Sequence, residues 1–136
     1  MCYLEVIIES IYTNMKNPVT WFEIAATDLE RAKNFYAEVF RVHLEFIDFP
    51  GAPMYMMGSG AHDPGAGGAL VKSENNTPSN NGTIIYFTCD DVAVEASRVG
   101  PAGGTLLFPK ESIGEFGFIA QFIDTEGNRI GLHSMQ

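Results

Sequence analysis

A short strand that runs straight into a capped helix occupies residues 19–40, and the same succession returns in the second half of the chain. Trp21-Phe22-Glu23-Ile24-Ala25-Ala26 is apolar and alternating enough for a strand. Thr27-Asp28-Leu29-Glu30 then reads as a capping box. Thr27 would accept from the backbone N–H of Glu30, and Glu30 would reach back to the N–H of Thr27. Leu29, Ala32, Tyr36, Val39 and Phe40 follow at helical spacing, with Phe35 widening the stripe and Glu30, Arg31, Lys33, Asn34 and Glu38 on the other face. Such a helix lies on a sheet. In the second half, Asp90-Asp91 caps a helix with Val92, Ala96 and Val99 inward, stopped by Gly100-Pro101.

The segments between these two units read as strands. Val42 to Phe49 alternates until Pro50-Gly51, and Met54-Tyr55-Met56-Met57 and Ala69-Leu70-Val71-Lys72 follow. A polar stretch, Glu74 to Gly82, links the halves. Beyond it, Thr83 to Cys89 is a strand, as are Thr105 to Phe108, Gly117 to Ile123 and Arg129 to Ser134. The last two are joined by the turn Asp124-Thr125-Glu126-Gly127-Asn128. The order is β-α-β-β-β, twice, in modules of about 18–73 and 83–134. This predicts an α+β fold: two modules forming a curved mixed sheet with a concave cup and the helices outside. Residues 15–136 make one domain. Residues 1–14 alternate through Tyr3, Glu5, Ile7, Glu9 and Ile11, which suits an N-terminal extension or an added edge strand.

Composition narrows the partners. Hydrophobic residues make up 46% of the 136, enough for a real core, and the net charge of −9 repels phosphate backbones, so nucleic acid is excluded as a partner. No apolar run approaches the ~18 residues of a membrane span. The first residues carry Glu5 and Glu9 and no Lys or Arg, so they do not read as a signal peptide. Cys2 and Cys89 have no metal-type spacing, and a reducing cytoplasm is the expected compartment.

Asp28-Leu29-Glu30-Arg31-Ala32 with Phe35-Tyr36, and Asp124-Thr125-Glu126-Gly127-Asn128-Arg129-Ile130, resemble two motifs of the vicinal oxygen chelate superfamily. That superfamily includes glyoxalase I, extradiol dioxygenases and bleomycin-resistance proteins. Thr125 and Glu126 stand where its hairpin has Pro and Asp. The resemblance covers roughly Pro18 to His133. It implies a divalent metal on the concave sheet, held by His, Gln or Glu. Carried over one by one, those positions fall on Trp21, on Ile84 (or Thr83 one residue earlier), on Gly131, and on the strand around Ala69-Leu70-Val71. None supplies a His or carboxylate, so no metal and no other cofactor is expected.

Strand parity fills the cup instead. If Trp21 faces it, so does Glu23. Ile84 brings Tyr86 and Thr88, and Gly131 brings Arg129 and His133. Met54, Met56 and Phe108 would complete an apolar wall. Each has a plainer reading as well: Trp21 and the methionines as core, Glu23–Arg129 as a structural ion pair, His133 and His62 as surface histidines. The resemblance then implies metal-independent binding of a small apolar or aromatic molecule, as in bleomycin-resistance proteins, by a homodimer. The alternative is a glyoxalase-like lyase, isomerase or dioxygenase with a relocated metal, using Glu23 and His133 as catalytic residues. A third class is a module whose main role is assembly with another subunit.

Overall fold

The computed structural model describes residues 17–58 and 63–136. The 1–14 segment and His62 lie outside them. In chain order the elements are β1 (Trp21–Ala25), α1 (Leu29–Phe40), β2 (Glu45–Ile47), β3 (Met54–Met57), β4 (Gly67–Val71), β5 (Ile85–Thr88), α2 (Val92–Val99), β6 (Thr105–Ser112), a 3-10 turn (Gly114–Phe116), β7 (Phe118–Ile123) and β8 (Arg129–Ser134). They form two sheets of four, ordered β1-β4-β3-β2 and β5-β8-β7-β6. In each sheet the first strand runs parallel to its neighbour and the other pairs are antiparallel. The βαβββ unit therefore occurs twice.

Several strands are shorter than the alternation predicts, and for local reasons. Arg41 adopts a left-handed φ of 54° and ends α1, with the Val42 N–H returning to the Ala37 carbonyl. Val42 and His43 consequently leave the helix without joining a strand, and β2 begins only at Glu45. β5 begins at Ile85, not Thr83. In contrast, β6 runs on to Ser112 through Pro109. It is an edge strand with two register shifts against β7, where a missing N–H does least harm.

Both sheets and both helices share one core. Phe35 of α1 packs 5.7 Å from Phe122 of β7, and Phe40 lies 4.7 Å from Phe87 of β5. Across the gap between the sheets, Phe22 of β1 meets Phe87 edge-on at 5.7 Å. Arg98 of α2 donates to the Val39 carbonyl at the end of α1. Ile24, Leu70, Val92, Val99 and Leu132 are buried in the same cluster.

The predicted capping box does not form. Asp28 is the N-cap of α1, its side chain accepting from the Arg31 N–H at 3.0 Å. Glu30 is engaged elsewhere, accepting from the Tyr55 hydroxyl at 2.6 Å and pairing with Lys33 at 3.0 Å. Its place is taken from the far end of the chain. Glu126, in the β7–β8 turn, accepts from the backbone N–H groups of Thr27 and Asp28 and from the Arg31 guanidinium. Burial opposes ionisation of Glu126, but the donors Arg31, Asp28, Thr125 and Thr27 outweigh it and hold its carboxyl at about 2. In the same turn, Asp124 accepts from the buried Tyr36 hydroxyl at 2.6 Å, and Asn128 donates to the Ala25 carbonyl at 2.8 Å. The second module thus clasps the first strand and helix of the first.

Candidate functional site

The two sheets approach each other edge to edge through β1 and β5, and a cavity of about 840 Å³ opens between them. β1 supplies Trp21, Phe22 and Glu23, and β5 supplies Ile85, Tyr86, Phe87 and Thr88. Alternation divides these residues between two faces. Phe22 and Ile24 turn toward the helices and the core, as do Ile85 and Phe87, which leaves the odd residues of β1 and the even residues of β5 on the opposite face. Trp21 is 42% exposed and Tyr86 43%, so neither ring belongs to the closed core. The cavity is also lined by Phe40 at the end of α1, by Val42 and His43 after it, by Met57 and Gly58, and by Pro64–Ala66.

The registers show how the modules correspond. Trp21 is opposite Gly67 and Glu23 opposite Ala69, while Tyr86 is opposite Gly131 and Thr88 opposite His133. Gly131 is needed there: a Cβ at that position would overlap the Tyr86 ring, which lies flat across β8. Spanning β8, the Tyr86 hydroxyl lies 2.6 Å from Nε2 of Gln121 on β7, and Oε1 of Gln121 accepts from Arg129 at 3.3 Å. Trp21 donates its indole N–H to Glu23 at 3.2 Å.

A second, polar cavity of about 140 Å³ adjoins the first. Glu23 lines both, and here it is joined by Arg129, Asn128 and the linker residues Ser79 and Asn81. Glu23 and Arg129 make no ion pair within 4 Å: the four ion pairs among the described residues involve other groups. Arg129 turns to Gln121 instead.

The remaining residues predicted for the cup are spread across its rim. Met54 and Met56 are half-buried on β3, on the face away from Tyr55 and the core residue Met57. They do not line the cavity between β1 and β5. Phe108 is in register with Gln121 on the outer strand β6. His133 shares the face of Gly131, but its Nε2 lies 2.6 Å from the Phe116 carbonyl in the 3-10 turn. Gln121, buried at 8% exposure, has no counterpart in the sequence reading. Its signal was a lone polar residue in the otherwise apolar run Phe118-Ile119-Ala120-Gln121-Phe122-Ile123. His43 and the Pro64–Ala66 loop were missed too, because they reach the cavity from irregular segments.

The positions at which the resemblance implies metal ligands hold an indole at Trp21, an alkyl group at Ile84 and no side chain at Gly131, with Ala69 and Val71 on β4. None can donate an electron pair to a divalent ion in the manner of His or carboxylate. Among the described residues no three His, Cys, Asp or Glu side chains gather. The residues present do not fit the metal of the superfamily.

The chain belongs to the Glyoxalase/Bleomycin resistance protein/Dioxygenase superfamily, whose model matches residues 19–132. Over 115 residues it is 28% identical to "Putative glyoxylase CFP32" of Mycobacterium tuberculosis and of Mycobacterium bovis, covering 82% of this chain and 43% of those proteins. The chain thus spans less than half the length of the curated relatives it matches. Among solved structures, a glyoxalase I variant from Zea mays superposes with a TM-score of 0.69 at 25% identity, over 87% of this chain and 47% of that one. A glyoxalase-related enzyme from Fulvimarina pelagi matches at TM-score 0.66 and 20% identity, over 88% of each chain. A glyoxalase/bleomycin resistance protein from Albidiferax ferrireducens matches at 0.65 and 17%, over 85% of this chain and 97% of that one.

Proposed function

We propose that this protein binds a small apolar or aromatic molecule between β1 and β5 without a metal ion, in the manner of bleomycin-resistance proteins. The observation that carries this reading is the cavity wall itself. An exposed tryptophan and an exposed tyrosine, Trp21 and Tyr86, line a space of about 840 Å³ with few polar groups. Exposed rings in a concave apolar site are what a small-molecule pocket requires. The protein acts in a reducing cytoplasm, in keeping with the free, buried Cys89. It acts as a homodimer, in keeping with the exposed Phe46 on the outer strand β2 and the exposed Phe49 just after it. Chelator-treated protein screened against a library of aromatic compounds tests the binding. A hit should raise Tm, and the rise should vanish in Trp21→Ala. A library without hits, or hits that require added metal, would contradict the proposal.

A second reading is a glyoxalase-like lyase, isomerase or dioxygenase with its metal relocated to Glu23 and His133, and the similarity to proteins named as glyoxylases favours it. Against it stands the His133 ring, whose Nε2 is occupied by the Phe116 carbonyl. About one metal ion per chain by elemental analysis, lost in Glu23→Ala or His133→Ala, would put this reading first.

A further inference from the structure

We infer that Tyr86 presents its hydroxyl proton to the cup, so that the molecule bound there carries a hydrogen-bond-accepting oxygen of the carbonyl kind beside its apolar body. This rests on the binding proposed above and specifies the ligand's chemistry. The guanidinium of Arg129 only donates. The Gln121 atom beside it, 3.3 Å away, must therefore be the amide oxygen. That fixes the amide's orientation and turns Nε2, which also only donates, toward Tyr86 at 2.6 Å. The Tyr86 oxygen is then the acceptor in that bond, and its own proton is not used. No other hydrogen bond engages Tyr86 among the described residues. Gln121 is buried, and the Tyr86 ring packs directly on the Gly131 backbone, where no side chain intervenes.

Tyr86 is 43% exposed, which leaves water able to take the proton in the free protein. A ligand that fills the cup displaces that water. An oxygen acceptor on the ligand replaces it, whereas a hydrocarbon leaves the donor unmatched at a cost of about 1–3 kcal/mol, a factor of roughly 5–150 in affinity. The three-residue chain Arg129–Gln121–Tyr86 thus converts a tyrosine, which could donate or accept, into a donor alone.

Two probes of one shape test this by calorimetry on the full chain: 2-acetylnaphthalene, whose carbonyl accepts, and 2-isopropylnaphthalene, which cannot. The ketone should bind at least ~10-fold tighter. Tyr86→Phe keeps the ring and should bring the ketone down to the hydrocarbon without changing the hydrocarbon's affinity. Gln121→Glu offers oxygens to both neighbours, so Tyr86 would donate inward and the ketone's advantage should again disappear. Should that variant fail to fold, Tyr86→Phe carries the test. The infrared carbonyl stretch of the bound ketone should lie lower in the wild type than in Tyr86→Phe. Equal affinities in the wild type, or an advantage that survives Tyr86→Phe, would overturn this inference and leave the binding reading intact. Failure of both probes to bind would overturn the two together.

Discussion

The Glu126 carboxylate accepts from the backbone N–H of Asp28 at 2.8 Å, so the last hairpin of the chain caps its first helix. The same carboxylate takes the Thr27 N–H at 2.9 Å and the Arg31 Nε at 2.8 Å. Between them, Glu126, Asp124 and Asn128 hold the second module against β1 and α1. The width of the cleft between β1 and β5 depends on how these modules sit, which links the clasp to the site.

Replacing Glu126 by Ala should lower stability by about 2–3 kcal/mol, the scale of charge-assisted hydrogen bonds lost from a buried acceptor. The pH dependence has a definite sign. The carboxyl is held at about 2 in the fold, below its ordinary 4.5, so its contribution is complete above about pH 4.5 and fades as pH falls toward 2. In denaturant melts, the stability gap between wild type and Glu126→Gln should be smaller at pH 3 than at pH 7. A gap that widens on acidification would contradict the clasp.

Gly131→Ala puts a methyl group where the Tyr86 ring lies. The ring must leave, breaking its bond to Gln121, and stability should fall by about 1–3 kcal/mol, as in overpacked cores. Thermal melts measure the loss. A melt indistinguishable from wild type would mean that the ring has an alternative seat.

Burial, and then the charge of Glu95, push the Cys89 thiol up to about 12. The thiolate is the reactive form, so in a Cys2→Ser background the native protein should resist a disulfide reagent at pH 8 and react fully once unfolded. Rapid native-state labelling would contradict this burial.

The homodimer should appear by light scattering as a mass near twice 14.9 kDa. Substituting Phe46 and Phe49 by Ser should shift the mass to that of a single chain. A monomer mass for the wild type at micromolar concentration would rule out the assembly.

Much of this architecture is legible in the residues because its signals are local. The two-residue period of a strand puts Trp21 with Glu23 and Tyr86 with Thr88, and the apolar stripes of α1 and α2 give their buried faces directly. Which residues share a face follows from parity once one residue of each strand is placed. Long-range partners leave no such mark. The capping box Thr27–Glu30 satisfies every local rule, yet Glu126, some hundred residues on, supplies the carboxylate because the β7–β8 turn arrives at that helix end. Glu23 and Arg129 have opposite charge and adjacent strands, but Gln121 draws the guanidinium away. His133 shares the cup face by parity, while a 3-10 turn that no pattern announces brings the Phe116 carbonyl to it.

Trp21 is the sole tryptophan, so its emission reports the proposed site without interference from elsewhere. The most direct measurement is a titration of chelator-treated protein with 2-acetylnaphthalene, followed by Trp21 fluorescence. The expected result is a saturable change with one site per chain and reduced access of acrylamide to Trp21 in the bound state. Emission that stays constant at saturating probe, or a change that appears only after a divalent metal is added, would contradict metal-independent binding between β1 and β5.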